Sequence, residues 1–191
     1  MIIFRKQNKP KIYMLRCVEN GVKGINLPDN FVNLLVNHQK EKAIRFLNNK
    51  RLRWLKEEDY EDDDEYEYDK DALISDCPFI NGDIPVFLGK KFRLPVKDCV
   101  TSKFDVDNEK YVAVLAPEVE GILNIKSSKI EKFRDGGIMY VEGYVFNNLS
   151  EYPSLFRVKE YPVFTFCTEE VKKNLELSNF KFLKFMEIKI K

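Results

Sequence analysis

The sequence predicts an α+β protein built on a mainly antiparallel sheet, with a few short helices and an acidic loop inserted. Runs of β-branched and aromatic residues dominate the second half of the chain, and they do not alternate with helices as βαβ units would. Apolar residues at helical spacing occur only in short stretches. The chain has 191 residues, of which 44% are hydrophobic, and this is enough for one sizeable core. We therefore expect a single domain over residues 1–191.

The N-terminal part, residues 1–56, combines a strand with two helices. The run Lys11–Val18 reads KIYMLRCV, which is typical of a strand. Asp29 can cap a following helix whose apolar residues recur at helical spacing. A second helix is predicted from about Glu41 to Leu47.

Residues 57–71 read EEDYEDDDEYEYDKD and divide the chain into two parts. Of these residues 11 are acidic, three are tyrosine and one is Lys70, so the segment carries a formal charge of −10. The remainder of the chain carries +11, although the net charge of the whole chain is only +1. Because like charges repel one another, this stretch, hereafter the acidic segment, is predicted to be a solvated loop.

The third part, residues 72–191, is rich in strand signals. Strands are predicted at Ile84–Leu88, Tyr111–Leu115, Ile138–Phe146, Leu155–Val158 and Val163–Phe166. Gly136 and Gly137 supply a turn before the third of these. Thr168 is predicted to start a helix, since Glu169 and Glu170 suit its positive end. The terminal FKFLKFMEIKIK alternates apolar and charged residues, which predicts a half-buried strand at or near a sheet edge.

Composition argues against catalysis and against a cofactor. His38 is the only histidine, and its HQKEK context is that of a helix surface. The four cysteines have neither the spacing of a zinc site nor the density of a disulfide framework; they are Cys17, Cys77, Cys99 and Cys167. No phosphate-binding glycine motif is present. We expect a protein that is not an enzyme, with no catalytic residues, no metal and no cofactor.

The same sequence contains no secretory signal and no apolar run approaching the roughly 18 residues of a membrane span. A cytoplasmic protein without a membrane partner is therefore expected. A basic stretch with interleaved aromatic residues around Arg51 and Arg53 could contact nucleic acid. The acidic segment follows it directly and would repel a phosphate backbone, so nucleic acid is disfavoured as a partner.

Two alternatives to a pure binding function remain open. Glu187-Ile188-Lys189 has the Glu-x-Lys form of a metal-dependent nuclease strand, in which carboxylates hold Mg²⁺ and the lysine contacts phosphate. Alternating glutamate and lysine is also common on edge strands for solubility alone. The other alternative is an adaptor protein of a mobile element.

The acidic segment itself has two interpretations. It is either a solubilising loop or a docking surface for a basic partner, in which tyrosines anchor the contact and carboxylates steer the encounter. The second interpretation predicts these partner-binding residues: Trp54, Tyr60, Glu61, Asp62, Asp63, Asp64, Glu65, Tyr66, Glu67, Tyr68 and Asp69.

Residues 152–188 resemble the C-terminal end of immunity proteins from bacterial polymorphic toxin systems. The matching pieces are Pro153 with Leu155, Phe156 and Arg157; Phe164–Thr168 with Glu169 and Glu170; and Leu175, Phe180 and Phe182. Upstream, only the order of elements and the Arg53-Trp54-Leu55 run before an acidic stretch are similar. The resemblance implies a small cytoplasmic protein that binds and neutralises a cognate toxin domain, possibly a nuclease, by occluding its active site.

Overall fold

The computed structural model describes residues 10–17, 25–37, 39–54, 72–74, 86–89, 98–177 and 183–191. The predicted fold class is confirmed, because these residues form mostly antiparallel sheets together with three α-helices. The helices are α1 (Asp29–Val36), α2 (Lys40–Phe46) and α3 (Glu169–Leu177). The strands are β1 (Ile12–Cys17), β2 (Ile25–Asn26), β3 (Arg51–Trp54), β4 (Ala72–Ile74), β5 (Val86–Gly89), β6 (Val100–Val106), β7 (Glu109–Leu115), β8 (Glu118–Val119), β9 (Lys129–Lys132), β10 (Ile138–Gly143), β11 (Val145–Phe146), β12 (Leu155–Val158), β13 (Thr165–Thr168) and β14 (Leu183–Ile190).

The first sheet has the strand order β11-β14-β1-β13-β12-β8. Its central pairs are antiparallel, whereas β11 and β8 join the two edges in parallel. Successive side chains of a strand point to opposite faces. One face carries Ile12, Met14, Phe156 and Phe166, which pack against residues of the 122–152 segment in an aromatic core. The opposite face packs against α3 in a separate cluster.

The second sheet has the order β2-β3-β6-β7-β5-β4. Its longest pair is β6 with β7, joined at a two-residue turn in which Asp107 and Asn108 both have positive φ angles, 47° and 68°. Turns of this kind match the right-handed twist of the strands they join. Helices α1 and α2 cover one face with Phe31, Ile44 and Leu47, which pack against the inward residues of β6 and β7.

The two sheets share a core. Val114 of β7 and Ala116 just after it belong to the same buried cluster as Tyr13, Leu155 and Cys167 of the first sheet. The chain then passes directly into β8 of the first sheet. The prediction that residues 1–191 form a single domain agrees with this shared core but remains a prediction for the chain as a whole.

Most predicted elements within the described ranges are confirmed, with small shifts. The predicted strand at Leu155–Val158 is β12, and the terminal strand is β14, one position in from the sheet edge. The strand predicted at Val163–Phe166 begins two residues later, and α3 begins at Glu169 because Thr168 still pairs with β1. The single strand predicted over Ile138–Phe146 is divided into β10 and β11 at Tyr144. The predicted acidic loop, residues 57–71, lies outside the described residues.

The chain divides at Tyr144 because it changes partners there. Strand β10 pairs with β9 in a separate two-stranded sheet, whereas β11 pairs with β14. The hydroxyl of Ser128 stabilises the change, since it donates to the Val145 carbonyl at 3.1 Å and accepts from the Val145 N–H at 3.0 Å. The transfer between sheets fixes the orientation of Tyr144, whose ring lies in the aromatic core.

Candidate functional site

Only one predicted partner-binding residue, Trp54, lies in the described part of the chain. It is the last residue of β3, where its backbone pairs with Ile25 of β2. The other ten, from Tyr60 to Asp69, lie outside the described residues. Within the described residues, Trp54 therefore has no other predicted partner-binding residue beside it. The structure describes the strands before and after the acidic segment, β3 and β4.

The strands on either side of the acidic segment, β3 and β4, both belong to the second sheet. The end of β3 and the start of β4 lie at the same end of that sheet. Strand β3 is parallel to β6, and β4 is antiparallel to β5, which itself runs antiparallel to β7. The C-terminal end of β3 and the N-terminal end of β4 therefore lie at the end of the sheet that carries the turn at Asp107 and Asn108. Four strand spacings separate β3 from β4, a distance of roughly 19 Å at about 4.8 Å per spacing.

The basic stretch before the acidic segment is distributed over two elements. Arg45 lies on α2 and pairs with Glu41 at 3.7 Å, and the Lys50 ammonium lies 4.5 Å from the centroid of the Phe46 ring. Arg51 and Arg53 are exposed on β3, on either side of the buried Leu52. This alternation gives the basic residues the ordinary solvent-facing positions of a half-buried strand rather than a dedicated phosphate-binding arrangement.

The Glu-x-Lys motif lies on a shallow groove. Glu187 and Lys189 line a groove of about 630 Å³ together with Lys11 and Glu169 at the start of α3. Lys11 and Glu169 approach to 3.9 Å, and Glu169 also meets Lys173 at 3.7 Å. Within the described residues no group of three or more acidic, histidine or cysteine side chains could hold a metal ion. Among the described residues that line this groove, the motif therefore has one further carboxylate, that of Glu169, and one further lysine, Lys11.

Arg157, a residue of the resembling segment, is buried and ion-paired. Its side chain is 3% exposed, its Nη2 contacts the Glu118 carboxylate at 3.1 Å and its Nε donates to the Ala116 carbonyl at 3.3 Å. The same Glu118 oxygen accepts from Lys40 of α2 at 2.7 Å. This carboxylate therefore links a strand of the first sheet to a helix packed on the second, and we assign Arg157 a structural role.

An aromatic surface, formed by Arg16, Tyr140, Tyr144, Tyr161 and Phe164, was not expected from the sequence. The Arg16 guanidinium lies 5.1 Å from the centroid of the Phe164 ring, and Tyr140 and Tyr161 meet edge to face at 6.5 Å. Tyr144 lies beneath them with its ring edge to face against Phe164 at 6.2 Å. One signal in the sequence could have suggested it, since Arg16 is the only charged residue within β1.

The hydroxyl of Tyr144 is the unusual atom of this surface. Tyr144 is 8% exposed, and its buried hydroxyl oxygen has no hydrogen-bond partner in the part of the chain that the structure describes. Burial raises the pKa of Tyr144 far above its usual value of 10, so the phenol remains protonated in the physiological range. In contrast, the hydroxyl of Tyr152, which is buried in the same core, donates to the carbonyl of Asn147.

The strand pair β9–β10 extends this surface with exposed apolar side chains. Phe133 at the turn is 53% exposed and Met139 is 43% exposed, while Tyr140 is 40% exposed. Aromatic residues and methionine are enriched in protein–protein interfaces relative to the rest of protein surfaces. This hairpin therefore has the composition of a contact surface.

Comparisons with known proteins add no identification: no protein-family model matches the chain, and no curated protein matches it. Within the described ranges, no helix has the length and apolar character that a membrane span requires.

Proposed function

We propose that the protein is a cytoplasmic immunity protein that binds a cognate toxin domain and neutralises it by occluding its active site. The observation that carries this proposal is the segregation of charge. A segment with a formal charge of −10 and three tyrosines stands in a chain whose remainder is +11. A surface of this kind complements the charge of a basic cleft, such as the active site of a nuclease.

The fold supports such a role. Strand β3 ends before the acidic segment and β4 begins after it, and these two strands lie roughly 19 Å apart across the second sheet by strand spacing. Anchoring both ends limits the volume that a loop can explore, which reduces the entropy lost when it is ordered on a partner. Exposed carboxylates would accelerate the encounter with a basic partner, and buried aromatic side chains would slow dissociation.

The resembling segment is also consistent with this proposal. It forms β12, β13, α3 and β14 in the order that the resemblance implies. Leu155, Phe156 and Arg157 are buried within it, so they would maintain the scaffold rather than contact a toxin. The partner-binding residues of such a protein would accordingly lie elsewhere, which is compatible with the acidic segment and Trp54.

The test requires the partner, which can be captured from lysate of the source organism with tagged protein and eluted with salt. We expect a large polypeptide whose C-terminal domain is toxic when it is expressed alone. Replacing Asp62, Asp63 and Asp64 with asparagine should slow association with that domain about tenfold or more and flatten the dependence of the rate on salt.

A matched control tests whether the position of the three removed charges matters or only their number. Replacing Glu131, Glu151 and Glu170 with glutamine removes the same three charges from exposed positions outside the acidic segment. This control should associate nearly as fast as the wild type. If the Asp62–Asp64 variant associates as fast as this control and still protects cells, the acidic segment is not the interface.

A second candidate function follows from the groove beside Glu187 and Lys189. A metal-dependent nuclease would use these residues with Mg²⁺, and Glu169 supplies one further carboxylate on the same groove. Incubation of the purified protein with plasmid DNA and RNA, with Mg²⁺ or with EDTA, tests this function. Cleavage that is abolished by EDTA and by Glu187→Gln would favour the nuclease over the immunity protein.

A further inference from the structure

We propose that the outer edge of β14 binds an extended segment of a partner protein, which adds to the first sheet as a further antiparallel strand and places an acidic residue beside Lys184 and Arg16. The inference concerns the first sheet only. It does not depend on the acidic segment, and it applies whether or not the partner is a toxin.

The first step is that most of β14 is paired on one side only. On its inner side, β14 pairs with β1 from Leu183 to Ile188. On its outer side, it pairs with β11 at Lys189 and Ile190. Among the residues that the structure describes, no strand pairs with the outer side between Leu183 and Ile188. These six residues span roughly 20 Å at about 3.4 Å each, which is the length of a typical strand.

The second step is the direction of the backbone groups along this edge. Lys191, directly after β14, donates its N–H to the Phe146 carbonyl and accepts from the Asn148 N–H, both at 2.9 Å, so its backbone groups point to the outer side. Because these groups alternate between the two sides of a strand, those of Phe185 and Glu187 also point to the outer side. Two N–H donors and two carbonyl acceptors are therefore directed at a further strand. Edges of this kind bind extended segments of other proteins.

The third step is the positive charge at the start of this edge. Arg16 of β1 lies directly opposite Lys184 of β14, so both side chains lie on the same face of the sheet. Both residues are exposed, and neither forms an ion pair with a residue that the structure describes. Like charges directly opposite one another destabilise a pair of strands. An acidic side chain opposite Lys184 on a further strand would lie next to both cations and offset this repulsion.

The fourth step distinguishes a partner segment from a second copy of the chain. Met186 lies on the same face as Lys184 and is 47% exposed, so an apolar residue of a further strand would cover it. The residues of β14 on this face are Lys184, Met186, Ile188 and Ile190, and none of them is acidic. Two copies paired through this edge by a two-fold axis would keep these residues on one face, without a carboxylate for Lys184. The charges therefore favour a partner segment that combines an acidic residue with apolar ones.

The experiment measures the binding of fluorescein-labelled peptides by fluorescence anisotropy. The peptide VKVTET, paired antiparallel to β14, places its glutamate opposite Lys184, its second valine opposite Met186 and its lysine opposite Glu187. The peptide VKVTQT differs from it in one carboxylate against one amide. We expect the glutamate peptide to bind about fivefold more tightly than the glutamine peptide.

Two N-methylated forms of the glutamate peptide test whether binding uses the backbone. Methyl groups on the nitrogens of the lysine and the first threonine remove the two N–H groups that would face β14. Methyl groups on the nitrogens of the second valine and the glutamate remove two N–H groups that would face away from it. We expect the first form to bind at least about tenfold more weakly than the second.

A matched pair of protein variants tests the charge. In Lys184→Gln the preference for the glutamate peptide should fall to about twofold or less, whereas Lys103→Gln, which removes an exposed charge from the second sheet, should retain it. Circular dichroism confirms that each variant is folded. Amide exchange followed by NMR locates the peptide, because the amides of Phe185 and Glu187 should exchange faster than that of Met186 in the free protein and slow down when the peptide binds.

Four outcomes would overturn the inference. They are no binding of the glutamate peptide at about 1 mM, equal affinity for the glutamate and glutamine peptides, equal affinity for the two N-methylated forms, and Phe185 and Glu187 amides that stay unprotected when the peptide is bound. If the protein alone sediments as a dimer with both of these amides already protected, the edge is occupied by a second copy instead.

Discussion

The two large sheets differ in how many polar groups they bury and in what those groups contact. Among the described residues, the core of the second sheet contains the hydroxyl of Ser102 and one buried phenol, that of Tyr111, which donates to Glu109 at 3.3 Å. The core regions of the first sheet contain a buried guanidinium, that of Arg157, and three buried phenols, those of Tyr13, Tyr144 and Tyr152. Polar groups in a core are costly unless they are hydrogen-bonded, so the larger number in the first sheet requires an explanation for each.

The two sheets also differ in what they connect. In the second sheet, strand β3 precedes the acidic segment in the chain and β4 follows it. In the first sheet, Arg157 and Glu118 connect the sheet to α2, and the buried Tyr144 hydroxyl has no hydrogen-bond partner among the described residues. Variants of these groups should therefore affect stability in distinct ways, which can be predicted from largest to smallest.

The largest effect is expected from Arg157. Replacing it with alanine leaves Glu118 with Lys40 alone and opens a cavity in the buried region. Removing one partner of a buried ion pair typically costs about 3–5 kcal/mol. We expect Arg157→Ala to lower the free energy of unfolding by this amount, as measured by urea denaturation.

The control for this prediction is Lys159→Ala. Lys159 pairs with Glu120 at 2.7 Å, but both side chains are largely exposed, and exposed pairs contribute only about 0–1 kcal/mol. If the two variants were equally stable, Arg157 would not connect the sheets as the structure indicates.

A second effect concerns Cys167, which lies on the face of the first sheet that meets the second. Burial raises the pKa of its thiol from 9.0 to about 12. Since the raised pKa belongs to the folded state, the stability is fully present below about pH 9 and is lost as the pH rises toward 12. Each pH unit in this range should cost up to about 1.4 kcal/mol.

The measurement is the free energy of unfolding at intervals from pH 8 to pH 10.5, for wild type and Cys167→Ala. The variant should be less stable at pH 8 because it lacks a buried side chain, yet its stability should fall less steeply above pH 9. Cys99, whose pKa burial raises to about 11 with help from Asp98, is half-buried and gives a comparison variant with a smaller change. Parallel curves for wild type and Cys167→Ala would show that the thiol titrates normally.

The strands differ in how much of their signal is local in the sequence, and this decides which of them could be predicted. Strands β1 and β12 were predictable because local runs of apolar and β-branched residues identify them. Strand β6, with the sequence VTSKFDV, carries too many polar residues for its pattern to be recognised. The division at Tyr144 depends on a change of partner from β9 to β14, which residues far apart in the chain determine.

The candidate sites were predictable to different degrees for the same reason. The charge of the acidic segment is a property of consecutive residues, so composition alone identifies it. The aromatic surface combines Arg16 of the first strand with tyrosines more than a hundred residues later, and no local pattern connects them. Likewise, Arg157 and Glu118 are 39 residues apart in sequence, and only the parallel pairing of β12 with β8 makes them neighbours.

The smallest effect is expected from two of the buried phenols of the first sheet, those of Tyr152 and Tyr144. Tyr152→Phe removes a hydroxyl that donates to the Asn147 carbonyl and should lower the free energy of unfolding by about 1 kcal/mol. Tyr144→Phe removes a hydroxyl that has no partner among the described residues and should raise the free energy of unfolding by about 1 kcal/mol, because the desolvation cost disappears while the ring contacts remain. Thermal and urea unfolding of the two variants should therefore shift in opposite directions from the wild type. A loss of stability in both would mean that the Tyr144 hydroxyl is already hydrogen-bonded in the isolated protein.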